Sequence, residues 1–124
     1  MPSSQDKQRS LVLKIYDLSQ YSALKWELDE FEDPFVVVGS RTIFLESVSD
    51  EADVPVEIVK IIDSSGKILE RFTDEDIAGE VPPRGGESYY TLMKTIRMLA
   101  VRQASGVDKH IDELLSDLDD IIPF

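Results

Sequence analysis

Residues 35–45 of the chain read FVVVGSRTIFL, and this stretch decides the fold. Two runs of β-branched and aromatic residues, 35–38 and 41–45, flank the dipeptide Gly39-Ser40. A two-residue connection that begins with glycine is typical of a tight β-hairpin. We therefore expect two antiparallel strands here, and the rest of the chain is interpreted outward from them.

A second hairpin is predicted further along the chain. Residues 56–62 (VEIVKII) and 67–72 (KILERF) are strand-like, and residues 63–66 (DSSG) supply the aspartate and glycine that a short turn favours. Residues 47–55 between the hairpins form an acidic loop. Two successive hairpins predict an antiparallel meander of four strands or more, with one face buried.

Helical periodicity appears on both sides of this sheet. Apolar residues recur at helical spacing over 88–103 and 107–120, which predicts two C-terminal helices. Residues 18–32 fit a helical stripe, although Leu24, Trp26 and Leu28 also alternate as in a strand. We expect a helix over 18–32, and residues 11–16 as either an added strand or an extension of that helix. The fold class is α+β, a sheet covered by an N-terminal helix and two C-terminal helices.

The 124 residues are 42% apolar and suit one domain. We expect a flexible lead-in over 1–10, the α+β domain over 11–118 and an acidic tip over 119–124. No apolar run approaches the ~20 residues of a membrane span, and the polar start has no secretory signal. The lack of cysteine agrees with a cytoplasmic location.

Catalytic signatures are missing from the sequence. His110 is the only histidine, and there is no cysteine to complete a zinc or thiolate site. It is interpreted as a surface residue. Two acidic triplets, Asp50-Glu51-Asp53 and Asp74-Glu75-Asp76, lack the spacing of a calcium-binding loop. No serine lies in the GxSxG pattern of a nucleophile elbow. The sequence predicts a non-enzymatic protein without a cofactor or metal.

The net charge of −12 argues against a broad duplex-binding surface and favours partners with basic surfaces. The sequence also predicts a smaller surface for single-stranded nucleic acid on the helix over 88–103. Tyr90, Lys94 and Arg97 share one face of that helix, at i, i+4 and i+7. The candidate nucleic-acid residues are Arg84, Tyr90, Lys94, Arg97, Trp26, Phe35 and Phe44. The alternative is an ordinary amphipathic helix with its cations in solvent.

The end of the chain, DLDDIIPF over residues 117–124, is a self-contained ligand for another protein. Its ring can enter an apolar pocket, its carboxylate can bind an arginine, and its aspartates can meet a basic rim. The candidate partner-binding residues are Asp117, Asp119, Asp120, Ile122, Pro123 and Phe124. Alternatively, the apolar residues fold back onto the core.

Residues 119–124, DDIIPF, resemble the acidic C-terminal tip of bacterial single-stranded DNA-binding proteins, which reads DDDIPF. Five of the six positions match, and Ile121 stands where the third aspartate would be. The resemblance implies that Phe124 and Pro123 fill a pocket of a replication, recombination or repair protein. Two departures accompany it: a helix precedes the tip where that family has a long flexible linker, and residues 1–106 do not fit that family's OB barrel.

Two functions remain open on these grounds. The first is a protein that binds or accompanies single-stranded DNA in replication and repair and recruits partners through its tip. The second is an acidic interaction module, such as an adaptor, inhibitor or immunity-type protein, that binds no nucleic acid. The amphipathic last helix is a candidate interface for homo-oligomers.

Overall fold

The computed structural model describes residues 3–79 and 86–121, which form an N-terminal helix, a five-stranded sheet and two C-terminal helices. The elements are α1 (Ser4–Gln20), β1 (Glu27–Leu28), β2 (Pro34–Val38), β3 (Arg41–Ser49), β4 (Pro55–Ile62), β5 (Ile68–Thr73), α2 (Tyr89–Ser105) and α3 (Val107–Ile121). The strands lie in the sheet in chain order, each antiparallel to the next. The predicted α+β class and antiparallel meander are confirmed, with β1 as a fifth strand.

The hairpin predicted from residues 35–45 is present. Val38 pairs with Arg41 across the Gly39-Ser40 turn, and Gly39 has a φ of 64°. A positive φ at the first central position matches the turns whose twist suits a two-residue hairpin. Glycine adopts this conformation without the steric cost of a Cβ atom, so the turn sets the register of β2 on β3.

The other three strand connections share one design. An aspartate opens each turn, and its Oδ1 accepts backbone N–H groups two and four residues later. These aspartates are Asp29, Asp50 and Asp63. The fourth turn residue has a positive φ in each case: Glu32 (64°), Asp53 (59°) and Gly66 (87°). The acidic side chains of these loops are thus partly structural, because a carboxylate satisfies two backbone donors that the turn leaves unpaired.

The N-terminal region differs from the prediction. Residues 4–20 form α1, so residues 4–10, expected to be a flexible lead-in, are its first turns. Ser3 and Asp6 form a capping box that satisfies the first free N–H groups of the helix. The prediction of a helix over 18–32 is wrong: the helix ends at Gln20, and Glu27–Leu28 is a strand paired with β2. The alternation of apolar and polar residues from Leu24 to Asp29 indicated this strand correctly. The helical spacing of apolar residues over 18–32 does not correspond to a helix beyond Gln20.

The core lies between one face of the sheet and the helices α1 and α2. The inward strand residues are Val36, Ile43, Leu45, Val59 and Phe72, and α1 contributes Val12 and Ile15. From α2 come Tyr89, Met93, Ile96 and Ala100. Burial of an aliphatic or aromatic side chain of this size contributes about 1.5–3 kcal/mol, so this layer holds the domain together.

The last helix, α3, is formed as predicted, but it buries none of its residues. It follows α2 after a single residue, Gly106, whose φ of 67° ends α2 in the left-handed conformation. Arg102 of α2 donates to Asp108 of α3 at 2.6 Å across this junction. Beyond it, α3 leaves its apolar side chains exposed.

Candidate functional site

The outer face of the sheet carries a row of aromatic and cationic side chains. The strand register aligns Phe35 with Phe44, Phe44 with Lys60, and Lys60 with Arg71, so the four residues cross β2 to β5 on one face. The two phenylalanine rings are tilted at 32° with centroids 5.3 Å apart. The Lys60 Nζ lies 5.0 Å from the centroid of the Phe44 ring. Partly exposed rings beside a cation are a surface on which a flat apolar group can stack.

An apolar row runs beside the aromatic one. Val37, Thr42, Ile62 and Ile68 are aligned by the same register, and Val37 and Ile68 are more than half exposed. We call these two rows together, eight residues in all, the outer platform. Along β4, residues 56–59 are all buried and do not belong to the platform. The first β4 residue of the platform is therefore Lys60. Val37 and Ile68 thus make this part of the outer face apolar as well as aromatic.

Carboxylates moderate the charge of the platform. Lys60 forms an ion pair with Glu46, with 2.8 Å between Nζ and Oε1, and both side chains are largely covered. Burial raises the pKa of Asp33, and the nearby carboxylates of Asp29 and Glu46 raise it further. A phosphate that approached Lys60 would meet this acidic edge. The positive charge of Lys60 is therefore largely balanced at this edge of the platform.

Trp26 does not belong to an exposed binding surface, which corrects the prediction. Its side chain is only 5% exposed and packs in the core, and its backbone N–H donates to Gln103 Oε1 at 3.1 Å. Its indole N–H finds no hydrogen-bond acceptor among the described residues. An indole so enclosed cannot stack on a base, because the sheet and α2 already cover it.

Arg97 also serves the fold. Its Nε donates to Glu57 Oε1 at 2.7 Å, and the Glu57 side chain is 3% exposed. A buried carboxylate needs this cation, since an unpaired charge in the interior is costly. Arg97 is therefore committed to β4, which corrects its prediction as a free phosphate contact.

Tyr90 and Lys94 remain together on one flank of α2, with the lysine Nζ 6.0 Å from the ring centroid. Their helix packs on the inner face of the sheet, whereas Phe35 and Phe44 lie on the outer face. Arg84 lies outside the described residues. The predicted nucleic-acid residues thus do not form one surface: one pair lies on α2 and the other on the outer platform.

Sequence reasoning missed Lys60 and Arg71 as members of the phenylalanine row. Both were assigned to strands, but their alignment with Phe44 depends on the length of the turn between β3 and β4. The signal was present in residues 50–54, whose aspartate and following left-handed position define a three-residue turn. Had that turn been recognised, extending β3 to Ser49 would have given the register.

The structure describes the acidic C-terminal residues as far as Ile121. Asp117, Asp119 and Asp120 are exposed on α3, while Ile122, Pro123 and Phe124 lie outside the described residues. His110 is a surface residue, as predicted, with a side chain 71% exposed and 3.9 Å from Glu113. The acidic tip thus continues directly from a helix whose carboxylates face solvent.

Within residues 3–79 and 86–121, no cluster of three or more acidic, histidine or cysteine side chains is placed to hold a metal ion. The helices of this same part of the chain are too short or too polar to cross a membrane. Comparisons with models of known protein families, with curated proteins and with solved structures find no match for the chain.

Proposed function

We propose that this chain is a non-enzymatic protein associated with single-stranded DNA, which contacts bases through the outer platform and recruits a second protein through its acidic C-terminal tip. The observation that supports base contact is the aligned row of Phe35, Phe44, Lys60 and Arg71. Aromatic rings on a sheet stack with bases of any sequence, and each stacked base contributes about 1–3 kcal/mol. Lys60 lies beside the Phe44 ring and Arg71 follows it in the row, where both could contact the backbone of the same DNA strand.

The strongly acidic chain limits how the strand can bind. The only cations in the row are Lys60 and Arg71, and Lys60 already shares its charge with Glu46. Neutralising about two phosphates corresponds to a slope of log K against log salt near −1.4 for a single strand. Binding is therefore carried mainly by stacking, and duplex DNA, whose bases are covered, is a poor ligand.

Recruitment rests on the resemblance of residues 119–124 to the tips of bacterial single-stranded DNA-binding proteins. Phe124 and Pro123 would fill an apolar pocket of a replication or repair protein, and Asp117, Asp119 and Asp120 would contact its basic rim. The exposure of these aspartates on α3 is compatible with that role. Charge-assisted contacts of this kind give specificity and fast association.

Base contact is tested with fluorescence anisotropy of a labelled oligo-dT, titrated with the full chain at low and moderate salt. Phe44→Ala removes one ring of the row and should weaken binding by about tenfold, the value of one lost stack. Phe31→Ala is the matched control, because Phe31 is 77% exposed but lies in the turn before β2, outside the platform. No binding at tens of micromolar protein in low salt, or equal loss in both variants, contradicts the proposal.

A second candidate is an acidic interaction module that binds no nucleic acid. It is favoured by the net charge of −12 and by α3, an amphipathic helix with no buried residue. This candidate predicts no oligo-dT binding at any salt concentration. The role of the tip has its own test: deletion of Pro123 and Phe124 should abolish capture of replication and repair proteins from a bacterial lysate without lowering the melting temperature. Lost thermal stability would instead mean that the tail packs on the core.

A further inference from the structure

The exposed side of α3 has the pattern of a helix that packs against another helix. Its apolar residues alternate at spacings of four and three, as in a heptad seam. They are Val107, Ile111, Leu114, Leu118 and Ile121, with Leu115 beside them. The last five of these six are between 41% and 72% exposed. A 15-residue helix is marginal in water without tertiary packing, so this stripe needs a partner surface.

A matching surface exists on the outer side of α2. An open, largely apolar groove with a volume of about 510 Å³ lies there, next to the junction with α3. Its lining includes Thr95, Met98, Leu99, Val101, Arg102 and Val107. Met98 is 57% exposed although it is a large apolar side chain. Among residues 3–79 and 86–121, the groove and the stripe are therefore two apolar surfaces that nothing covers, and they lie on consecutive helices.

Charge favours contact between α3 and α2 over contact between two copies of α3. α3 carries six carboxylates and one lysine, a net −5 with His110 neutral, so two α3 helices side by side would repel each other. α2 carries Lys94, Arg97 and Arg102 and no acid, a net +3. Arg97 is paired with Glu57 and Arg102 with Asp108, so Lys94 is the α2 cation that these ion pairs leave for a partner. The same attraction is visible at the junction, where Arg102 binds Asp108 at 2.6 Å. Opposite charges around an apolar seam select the partner and its orientation.

The helix cannot fill the groove of its own chain. Only Gly106 separates Ser105 from Val107, whereas antiparallel helices in one chain need a connection of about 2–5 residues. Folding α3 back onto α2 would require unwinding a turn of one of them. The α3 of the same chain is therefore not the occupant of the groove, and a second copy supplies a helix of the right charge and pattern.

The exposed area is large enough for such an interface. A folded monomer of 14.0 kDa is expected to expose about 6,700 Å², from the scaling of surface with mass. This chain exposes 8494 Å², about 1,800 Å² more than that scaling. A stable interface uses about 800 Å² from each partner. The total exposed area is therefore compatible with an interface of that size, which would cover one α3 and fill one groove in each copy.

We propose that two copies exchange their last helices: α3 of each lies along the outer groove of α2 of the other, which gives a symmetric dimer. Each copy donates one helix and receives one, so the contact is made twice and closes the assembly. This inference does not rest on the proposed function, since it concerns neither the outer platform nor residues 122–124. If both hold, the dimer presents two platforms and gains affinity for one long strand through avidity.

The test measures the mass of the full chain by sedimentation equilibrium from about 1 to 100 µM. We expect twice 14.0 kDa at the upper end, with dissociation promoted by salt because the seam joins opposite charges. Pairing of α3 with α3 would instead strengthen with salt as repulsion is screened. A monomer throughout, or a dimer strengthened by salt, overturns the proposal; a monomer would mean that a different protein covers α3.

Two variants give a complementation test. Leu118→Asp damages the donated helix, and Met98→Asp damages the receiving groove, so each variant alone should be monomeric. A mixture of the two restores one of the two contacts, helix of the second in groove of the first, and should form a heterodimer. Ser116→Asp, on the opposite side of α3, is the control and should stay dimeric. Circular dichroism should show the same helix content for Ser116→Asp as for the unchanged chain, and should show no more than the loss of α3 in the two monomeric variants. A dimeric Met98→Asp variant overturns the proposal.

Discussion

α2 and α3 are consecutive amphipathic helices of 17 and 15 residues, separated by one glycine, and the fold treats them in opposite ways. α2 buries five side chains against the sheet and α1, whereas α3 buries none. Their apolar periodicity predicts both helices equally well. The difference teaches that a periodic stripe identifies a face to be covered but does not say whether this chain covers it. The two helices also differ in charge, since α2 is basic and α3 is strongly acidic.

The largest expected difference between the helices is in how much stability is lost when an apolar side chain of each is replaced by alanine. Ile96→Ala on α2 removes a side chain that is 1% exposed and leaves a cavity, so it should cost about 2–5 kcal/mol of unfolding free energy. Leu114→Ala on α3 removes one that is 59% exposed and should cost less than about 0.5 kcal/mol. Urea unfolding at about 1 µM, where association is weak, measures both. A large loss for Leu114→Ala at this concentration would mean that α3 packs on its own domain.

The next difference lies in the ion pairs of α2. Arg97→Met leaves the buried Glu57 carboxylate without its cation and should cost about 2–3 kcal/mol, less than a fully buried pair because Arg97 is one-quarter exposed. Arg102→Met breaks the exposed pair with Asp108, which contributes about 0–1 kcal/mol. The unfolding free energies of the two variants make the comparison directly. Adding Glu57→Gln to Arg97→Met should recover part of the loss, and no recovery would contradict the role assigned to the pair.

A smaller effect is expected at the glycine between the helices. Gly106→Ala places a Cβ atom on a residue with φ of 67°, where it meets no neighbouring atom within 4 Å. The cost is therefore only the left-handed conformation itself, about 1 kcal/mol. Gly106→Asn should cost less, since asparagine tolerates this region. Thermal unfolding of the two variants checks the order. Equal costs would show that something other than backbone conformation controls the junction.

The sequence predicted the sheet well because its signals are local. The Gly39-Ser40 turn and the alternating strands 35–45 and 56–72 require no knowledge of distant residues. The N-terminal helix was expected, but over residues 18–32, and its true position at Ser4–Gln20 was missed for a different reason. Its cap, Ser3 with Asp6, lies in a polar stretch that composition alone assigns to a flexible lead-in, and its buried stripe is narrow, with only Val12, Ile15 and Ser19 fully covered. Only contact with α2 and the sheet selects that stripe.

The candidate site was predicted in its residue types but not in its grouping. Phe35 and Phe44 were recognised, and the strand register brings them together. Trp26 and Arg97 were assigned to binding because a tryptophan and an arginine on amphipathic segments look identical whether they face solvent or the interior. Arg97 pairs with Glu57 because that carboxylate is buried in β4. The helical pattern of α2 contains no information about Glu57, so the pairing could not be predicted from it.

The smallest expected effect is on the pH dependence of stability, and it concerns two aspartates at the ends of β4 and β5. Burial raises the pKa of Asp74 above its ordinary 3.8, although the Glu57 backbone N–H donates to it at 2.8 Å. Asp74 therefore reduces stability at neutral pH, and this penalty disappears as the pH falls through its folded pKa. The pKa of Asp63 is lowered by hydrogen bonds from the Ser65 side chain and the Lys67 backbone. Its contribution is present above pH 3.8 and is lost as the pH falls through its folded pKa.

The two carboxylates thus oppose each other, and single amide substitutions separate them. Asp74→Asn removes the penalty and should make the loss of stability on acidification steeper than in the unchanged chain. Asp63→Asn removes the opposite contribution and should make that loss shallower, while the amide oxygen keeps accepting the turn N–H groups. Urea midpoints between about pH 3 and 6 give both slopes. If Asp74→Asn makes the slope shallower, the carboxylate is stabilised where it lies, and its hydrogen bond from the Glu57 backbone N–H outweighs the effect of burial.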